Sequence, residues 1–387
     1  MNLKVAAVID SKVNSRIIVK MIKMQWTLLL AVTIVISSCS SDITLRQKAD
    51  ELAHKYIITD GHVDIPYRLE EYMEDVSVRT ERGDFDYVRA KEGGLDAPFM
   101  SIYVPSSYQE TGGAKAKADS LIDLVENLAN DHPDKFALAA SAEEVEKIVA
   151  DGKIALPMGM ENGAPIEDDL KNVAYFHGRG VRYITLTHGK DNQICDSSYD
   201  TTGTWGGISE FGRKVVAEMN RVGIMVDISH VSDNAFYDVM KITKAPAIAS
   251  HSSCRAFTRG FERNMDDEMI KTLGANGGVI QINFGSSFLS EESRNKSTRN
   301  DEKVRVYQEA NNLELDDEEL MKYERKVTQE NPIYADVTDV ADHIDHVVKL
   351  AGIDHVAFGS DFDGVGDSLP YGSVSYTHLT LPTNREV

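Results

Sequence analysis

The sequence predicts a (β/α)8 barrel of the TIM type, and three observations carry that expectation. Short apolar runs alternate with amphipathic helical stretches along most of the chain, giving at least seven strand candidates. Such alternation implies a parallel sheet covered by helices. No G-x-G-x-x-G or P-loop follows any of the runs, which removes the main support for an open nucleotide-binding sheet. Most of the runs also end in a histidine or an acid, and the carboxyl ends of barrel strands converge on one face.

The elements follow in order. Ile57, Ile58 and Thr59 are β-branched and open the first strand, which runs into GHVDIP. Positions i and i+2 of an extended chain project to one side, so His62 and Asp64 could grip one object together. AKAKADSLIDLVENLAND (114–131) reads as an amphipathic barrel helix. KIALPMGME (153–161) predicts a strand ending in Glu161, with a helical stretch from near Ile166. VRYITLTH (181–188) ends in His188 and leads to a helix over 210–223. IMVDISH (224–230) ends in His230 and precedes a helix over 232–243 with Ser232 as its N-cap. APAIASH (245–251) ends in His251, and MDDEMIKTLGANGG follows with Asp266 and Asp267 in the first turn and glycines past the end. GVIQINF (278–284) and HVAFGSDFDG (355–364) are the last two strands, the second carrying Asp361 and Asp363. Residues 286–334 are highly charged and read as a solvated helical insertion.

The chain has 387 residues and a net charge of −21, which argues against nucleic-acid partners. Arg16, Lys20 and Lys23 precede the apolar stretch WTLLLAVTIVI (26–36), the pattern of an export signal over residues 1–39. ISSC (36–39) resembles a bacterial lipobox, which predicts lipid on Cys39 and a membrane-anchored protein of the cell envelope. Cys195 and Cys254 then remain, too few for a disulfide scaffold or a thiolate metal cage. At the other end, SYTHLTLPTNREV (375–387) has no periodicity and is expected to be a non-native tail.

His62, Asp64, Glu161, His188, His230, His251 and Asp361 thus fall at the ends of six predicted strands, His62 and Asp64 sharing the first. Imidazole and carboxylate without thiolate suit Zn2+, with Mn2+, Fe2+ or Co2+ as alternatives. Seven groups exceed the needs of one ion, so a two-metal hydrolase with a bridging hydroxide is expected. A free carboxylate would carry the proton, and a neutral histidine would stabilise the oxyanion.

DGHVDIP, GMENG, YITLTH, GISEFGRKVVAEMNRVGIMVDISHVS, IASHSS, RNMDD and HVAFGSDFDGV together resemble the membrane (renal-type) dipeptidases, a branch of the amidohydrolase-like metallo-barrels, over about residues 45–372. The resemblance implies zinc-dependent hydrolysis of dipeptides with two Zn2+ per chain. It implies that His62 and Asp64 bind the first zinc, that Glu161 bridges, and that His230 and His251 bind the second. It further implies that His188 meets substrate and oxyanion, that Asp361 handles the proton with Asp363 as the next choice, and that Arg263 of RNMDD pairs with the substrate's carboxylate. A homodimer is implied as well. Departures are visible. Asn162-Gly163-Ala164 stands where the family often has Gly-Gly-His, and VIQINF continues into GSSF rather than Tyr-Pro, which implies the loss of a pocket aromatic. The family's closing helices have no counterpart after DFDG, so the last strand is expected to lack its cover and the chain to be poorly stable. Other metallo-barrel hydrolases (lactonase, phosphotriesterase, deaminase) and a non-catalytic surface-binding lipoprotein are the alternatives. The first group commonly bridges its metals with a carboxylated lysine, whereas Glu161 occupies that place here.

Overall fold

The computed structural model describes residues 47–314 and 317–371. Among the described residues, 47–52 are helical and belong to one unit, and those from Ala53 to Tyr371 form a second. The export signal, the lipobox cysteine and the tail at 375–387 lie outside the described residues. No helix among the described residues is long and apolar enough to cross a membrane.

The second unit is a closed eight-stranded parallel barrel. Its strands are β1 (Ile58–Val63), β2 (Leu95–Tyr103), β5 (Met158–Glu161), β6 (Val181–Thr185), β7 (Met225–Asp227), β8 (Ile248–Ala249), β9 (Val279–Ile282) and β10 (Val356–Phe358). They follow the order β1-β10-β9-β8-β7-β6-β5-β2 around the barrel. A side sheet pairs β3 (Phe136–Leu138) with β4 (Ile154–Leu156). The predicted fold is therefore the observed one, with three revisions. KIALPMGME is two strands rather than one, because Pro157 divides β4 of the side sheet from β5 of the barrel. The barrel strand LDAPFMSIY was not anticipated, since Pro98 interrupts its strand pattern. The helical stretch after Glu161 is a short 3-10 turn, Ala164–Ile166, with the helix proper at Lys171–Gly178.

Local chemistry sets the helix boundaries. Ser232 caps Asp233–Ile242 by accepting from the Ala235 amide, and Ser209 does the same for Gly212 at the start of Glu210–Val222. Asp266 is itself the N-cap of Asp267–Ala275, accepting from Met269, rather than a first-turn residue. The helix Ala114–Asp131 buries Ala118, Leu121, Ile122, Val125 and Ala129, one stripe at helical spacing. Its burial places it against the barrel as an amphipathic cover.

Within the 286–334 segment lie Ser286–Leu289, Glu291–Asn311 and Glu318–Glu330. Glu291–Asn311 buries only Ser293 and Asn300 along its 21 residues, so it is solvated on nearly every side. β10 is half-buried along its whole length, unlike β5 or β6, and no helix follows it among the described residues.

Candidate metal centre

Glu161 is the hub. It ends β5 and is 4% exposed. Its Oε1 lies 3.0 Å from His230 Nε2, 3.1 Å from His251 Nε2 and 3.6 Å from His188 Nε2, while Oε2 lies 3.4 Å from His62 Nε2. His62 Nε2 is also 3.4 Å from Asp64 Oδ2. His62, Asp64 and Asp361 form a further group whose ligand atoms all lie within 4.8 Å of one another. The seven strand-end residues thus meet at one mouth, because all eight strands run the same way. His230 and Asp361 hold positive φ values, 68° and 63°, which a non-glycine residue adopts only when its surroundings enforce it.

A network invisible in the sequence orients the imidazoles. The Tyr183 hydroxyl donates to the Gly61 carbonyl at 3.0 Å, so it accepts from His62 Nδ1 at 2.8 Å and turns Nε2 toward the carboxylates; although burial opposes it, Tyr183, Glu161 and Asp64 hold this imidazole well above its ordinary value. Ser250 Oγ donates to Asp227 Oδ2 at 2.6 Å and accepts from His251 Nδ1 at 2.8 Å, which frees Nε2. Asn283, just past β9, donates to Asp361 Oδ2 at 2.7 Å. Asp227, Ser250 and Asn283 are at or next to strand ends, the one signal that could have drawn attention to them, whereas Tyr183 lies in the middle of β6.

The electrostatics suit ligands. Burial opposes ionisation of Glu161, but His62 and the other surrounding histidines outweigh it and hold the carboxyl well below its ordinary range. Burial first, and the Arg263 charge second among the causes for His230, push His230 and His251 well below the usual imidazole value; His188 is lowered by burial as well. These three rings are therefore neutral, as a metal ligand must be. Burial, then Asp64 and Glu161, raise Asp361 to about 8. Glu161 Oε1, His230 Nε2 and His251 Nε2 lie 2.9–3.1 Å apart, close to the spacing of three ligands on one ion with bonds of about 2.0–2.1 Å. His62 Nε2 and Asp64 Oδ1 are buried without a hydrogen-bond partner. Buried nitrogen and oxygen atoms left without partners in a cluster of acids and imidazoles fit divalent metal.

Arg263 is 3% exposed; it donates to Ser252 Oγ at 2.6 Å and to the His251 carbonyl at 2.8 Å, and its Nε has no partner. No carboxylate among the described residues forms an ion pair with it. The remaining histidines lie outside the cluster, for example His343, which accepts from the Cys254 amide, and His346, which bonds Asp267.

The membrane dipeptidase model, peptidase family M19, matches residues 46–377. The chain belongs to this family. A dipeptidase of Clonostachys rogersoniana, verJ, is 32% identical over 332 residues, spanning 82% of this chain and 75% of its own. An uncharacterized dipeptidase of Schizosaccharomyces pombe is 29% identical over 341 residues, 83% of this chain and 72% of its own. Among solved structures, the probable dipeptidase PvdM from Pseudomonas aeruginosa superposes with a TM-score of 0.74 at 25% identity, covering 87% of this chain and 91% of its own. A metallo peptidase from Rhodobacter sphaeroides, solved with a phosphinate mimic of L-Ala-D-Ala, gives 0.66 at 25% identity, covering 83% and 89%. This member of the membrane dipeptidase family is a metallo-dipeptidase, a metal-dependent hydrolase of dipeptides.

Asp363, the second proton-carrier candidate, is engaged elsewhere in this dipeptidase. Its Oδ1 accepts from the Asp84 amide at 2.6 Å and from Arg68 at 3.2 Å, and its own amide donates to Asp84 Oδ2 at 2.9 Å. Burial, with Asp84 beside it, raises its pKa to about 6. The native state then binds a proton between pH 4 and 6 that the unfolded chain has released, so stability falls as pH rises through that window. The contribution of Asp363 to stability is expected to fall by up to about 3 kcal/mol there, read as the difference between wild type and Asp363→Asn in denaturant melts at pH 4 and 6.

Proposed function

We propose that the chain is a zinc dipeptidase in which His62 and Asp64 hold one Zn2+, His230 and His251 a second, and Glu161 bridges them. The observation that carries this reading is Glu161 itself, one buried carboxylate within 3.6 Å of four imidazole nitrogens. Bound zinc supplies Lewis acidity and brings a coordinated water to a pKa of roughly 7. The residues of the chain do the rest. The Arg263 guanidinium binds the free C-terminal carboxylate of the dipeptide, a task its planar fork suits. That anchors the scissile amide at the cluster. His188, neutral and on the open side of Glu161, donates to the developing oxyanion. Asp361 accepts the proton lost by water and returns it to the leaving amine, and Asn283 fixes the carboxylate for that exchange.

Assays on a small dipeptide panel, before and after chelation and zinc return, test the reading. Activity is expected to vanish with chelation and in His230→Ala, and to return with zinc only in the wild type. Arg263→Ala is expected to raise KM by at least tenfold. Chelator-resistant hydrolysis would rule the mechanism out. We propose further that the chain is exported and tethered by lipid at Cys39, and that it associates as a homodimer. Labelling with palmitate, lost in Cys39→Ser, tests the tether, and sedimentation tests the dimer.

A further inference from the structure

Beside the metal cluster runs a line of rings that the reaction itself does not use. Tyr199 lies with its ring centre 5.8 Å from that of His230. Phe261 stands 6.2 Å from Tyr199, and Phe288 stands 5.5 Å from Phe261. The Arg263 guanidinium closes the line, 5.4 Å from the centre of the Phe288 ring, and it is bonded in turn to the His251 carbonyl. The rings therefore lead from one candidate zinc ligand to the backbone of another, by way of the arginine. They are not sealed in a core: Tyr199 is 45% exposed, and Phe261 and Phe288 are half-buried. Phe288 also comes from GSSF, the stretch that departs from the family's usual sequence.

We infer that Tyr199, Phe261 and Phe288 form the wall against which the side chain of the substrate's C-terminal residue packs, giving a preference for dipeptides that end in a large apolar or aromatic residue. The inference rests on Arg263 holding the substrate carboxylate. In an amino acid the side chain branches from the carbon that bears the carboxylate. A carboxylate seated on Arg263 therefore brings its side chain into the neighbourhood of the Phe288 ring, whose centre lies 5.4 Å from the guanidinium carbon. Partly exposed rings beside a fixed anion site reward an apolar side chain by burial and an aromatic one by ring contact as well, and the Arg294 guanidinium stands 4.7 Å from the centre of the Phe261 ring. A glycine at that position would leave the wall wet.

The test uses the zinc-loaded full chain and the ratio of kcat/KM for L-Ala-L-Phe to that for L-Ala-Gly. Phe288→Ala is expected to lower the ratio by about tenfold or more, the scale on which a pocket discriminates by apolar contact. Tyr199→Ala, at a side chain open to solvent, is expected to lower it about threefold, and it provides a second reading if the Phe288 variant folds poorly. A ratio within twofold of wild type in Tyr199→Ala and in any folded Phe288→Ala protein, with hydrolysis intact, would overturn the inference alone. A wild-type chain that cleaves neither dipeptide would overturn the reading of the site and this inference with it.

Discussion

Glutamine in place of Glu161 is expected to lower kcat/KM on dipeptides by roughly a thousandfold or more, the scale of losing a principal electrostatic group in an active site. The substitution keeps the shape of the side chain but replaces one oxygen with an amide NH2. Its hydrogens then point toward the nitrogens of His230 and His251, which lie 3.0–3.1 Å away and would present lone pairs to metal. The negative charge that would balance two dications is lost at the same stroke. Metal analysis of the purified variant is expected to give fewer than two zinc ions per chain, and circular dichroism to confirm the barrel. Full activity with two bound zincs would remove Glu161 from the centre of the site.

The second large effect is expected at a residue that touches no metal or substrate. Asp227 is fully buried and accepts from Ser250 Oγ at 2.6 Å, from the Ser250 amide at 2.9 Å, from the Ser229 amide at 3.0 Å and from Thr185 Oγ1. Asp227→Ala leaves these donors without a partner in a dry interior, at about 1–3 kcal/mol each where no water enters. A loss of about 3–5 kcal/mol is expected, read as an earlier denaturant midpoint. His251 also loses the chain that fixes its tautomer, so zinc affinity is expected to fall by 10–100-fold. Asp227→Asn separates the two effects. It keeps an acceptor for the amides and is expected to restore most of the stability but not the affinity. Unchanged affinity in both variants would leave Asp227 a purely structural residue.

The barrel and its site were legible to different depths. Strand ends were readable because most apolar runs stop at a histidine or an acid, and parallel strands bring their carboxyl ends to one face. The helix at Ala114–Asp131 was readable from its spacing alone. β2 was not, because Pro98 sits inside it, and β4 was not, because only Pro157 separates it from β5. The ring orienters were hidden for another reason. Tyr183 acts on a histidine 121 residues earlier, and Asn283 on an aspartate 78 residues later. A phenol or an amide in a strand is ordinary; only the fold gives it a partner. Asp363 shows the converse, since its place beside Asp361 suggested chemistry, whereas its bonds run to Asp84 and Arg68.

The barrel closes by pairing its first strand with its last, Asp60 with Phe358, and the seam continues as Asp361 donates its amide to the His62 carbonyl. Residues some 300 positions apart thus complete one side of the cluster. As the chain is made, His62 and Asp64 emerge first and wait for some 300 residues before Asp361 arrives. Long-range closure of this kind is slow and leaves apolar edges open meanwhile. The cluster is complete only once β10 has been made and paired, and a chain interrupted before β10 would carry most of its groups yet lack the seam that joins them.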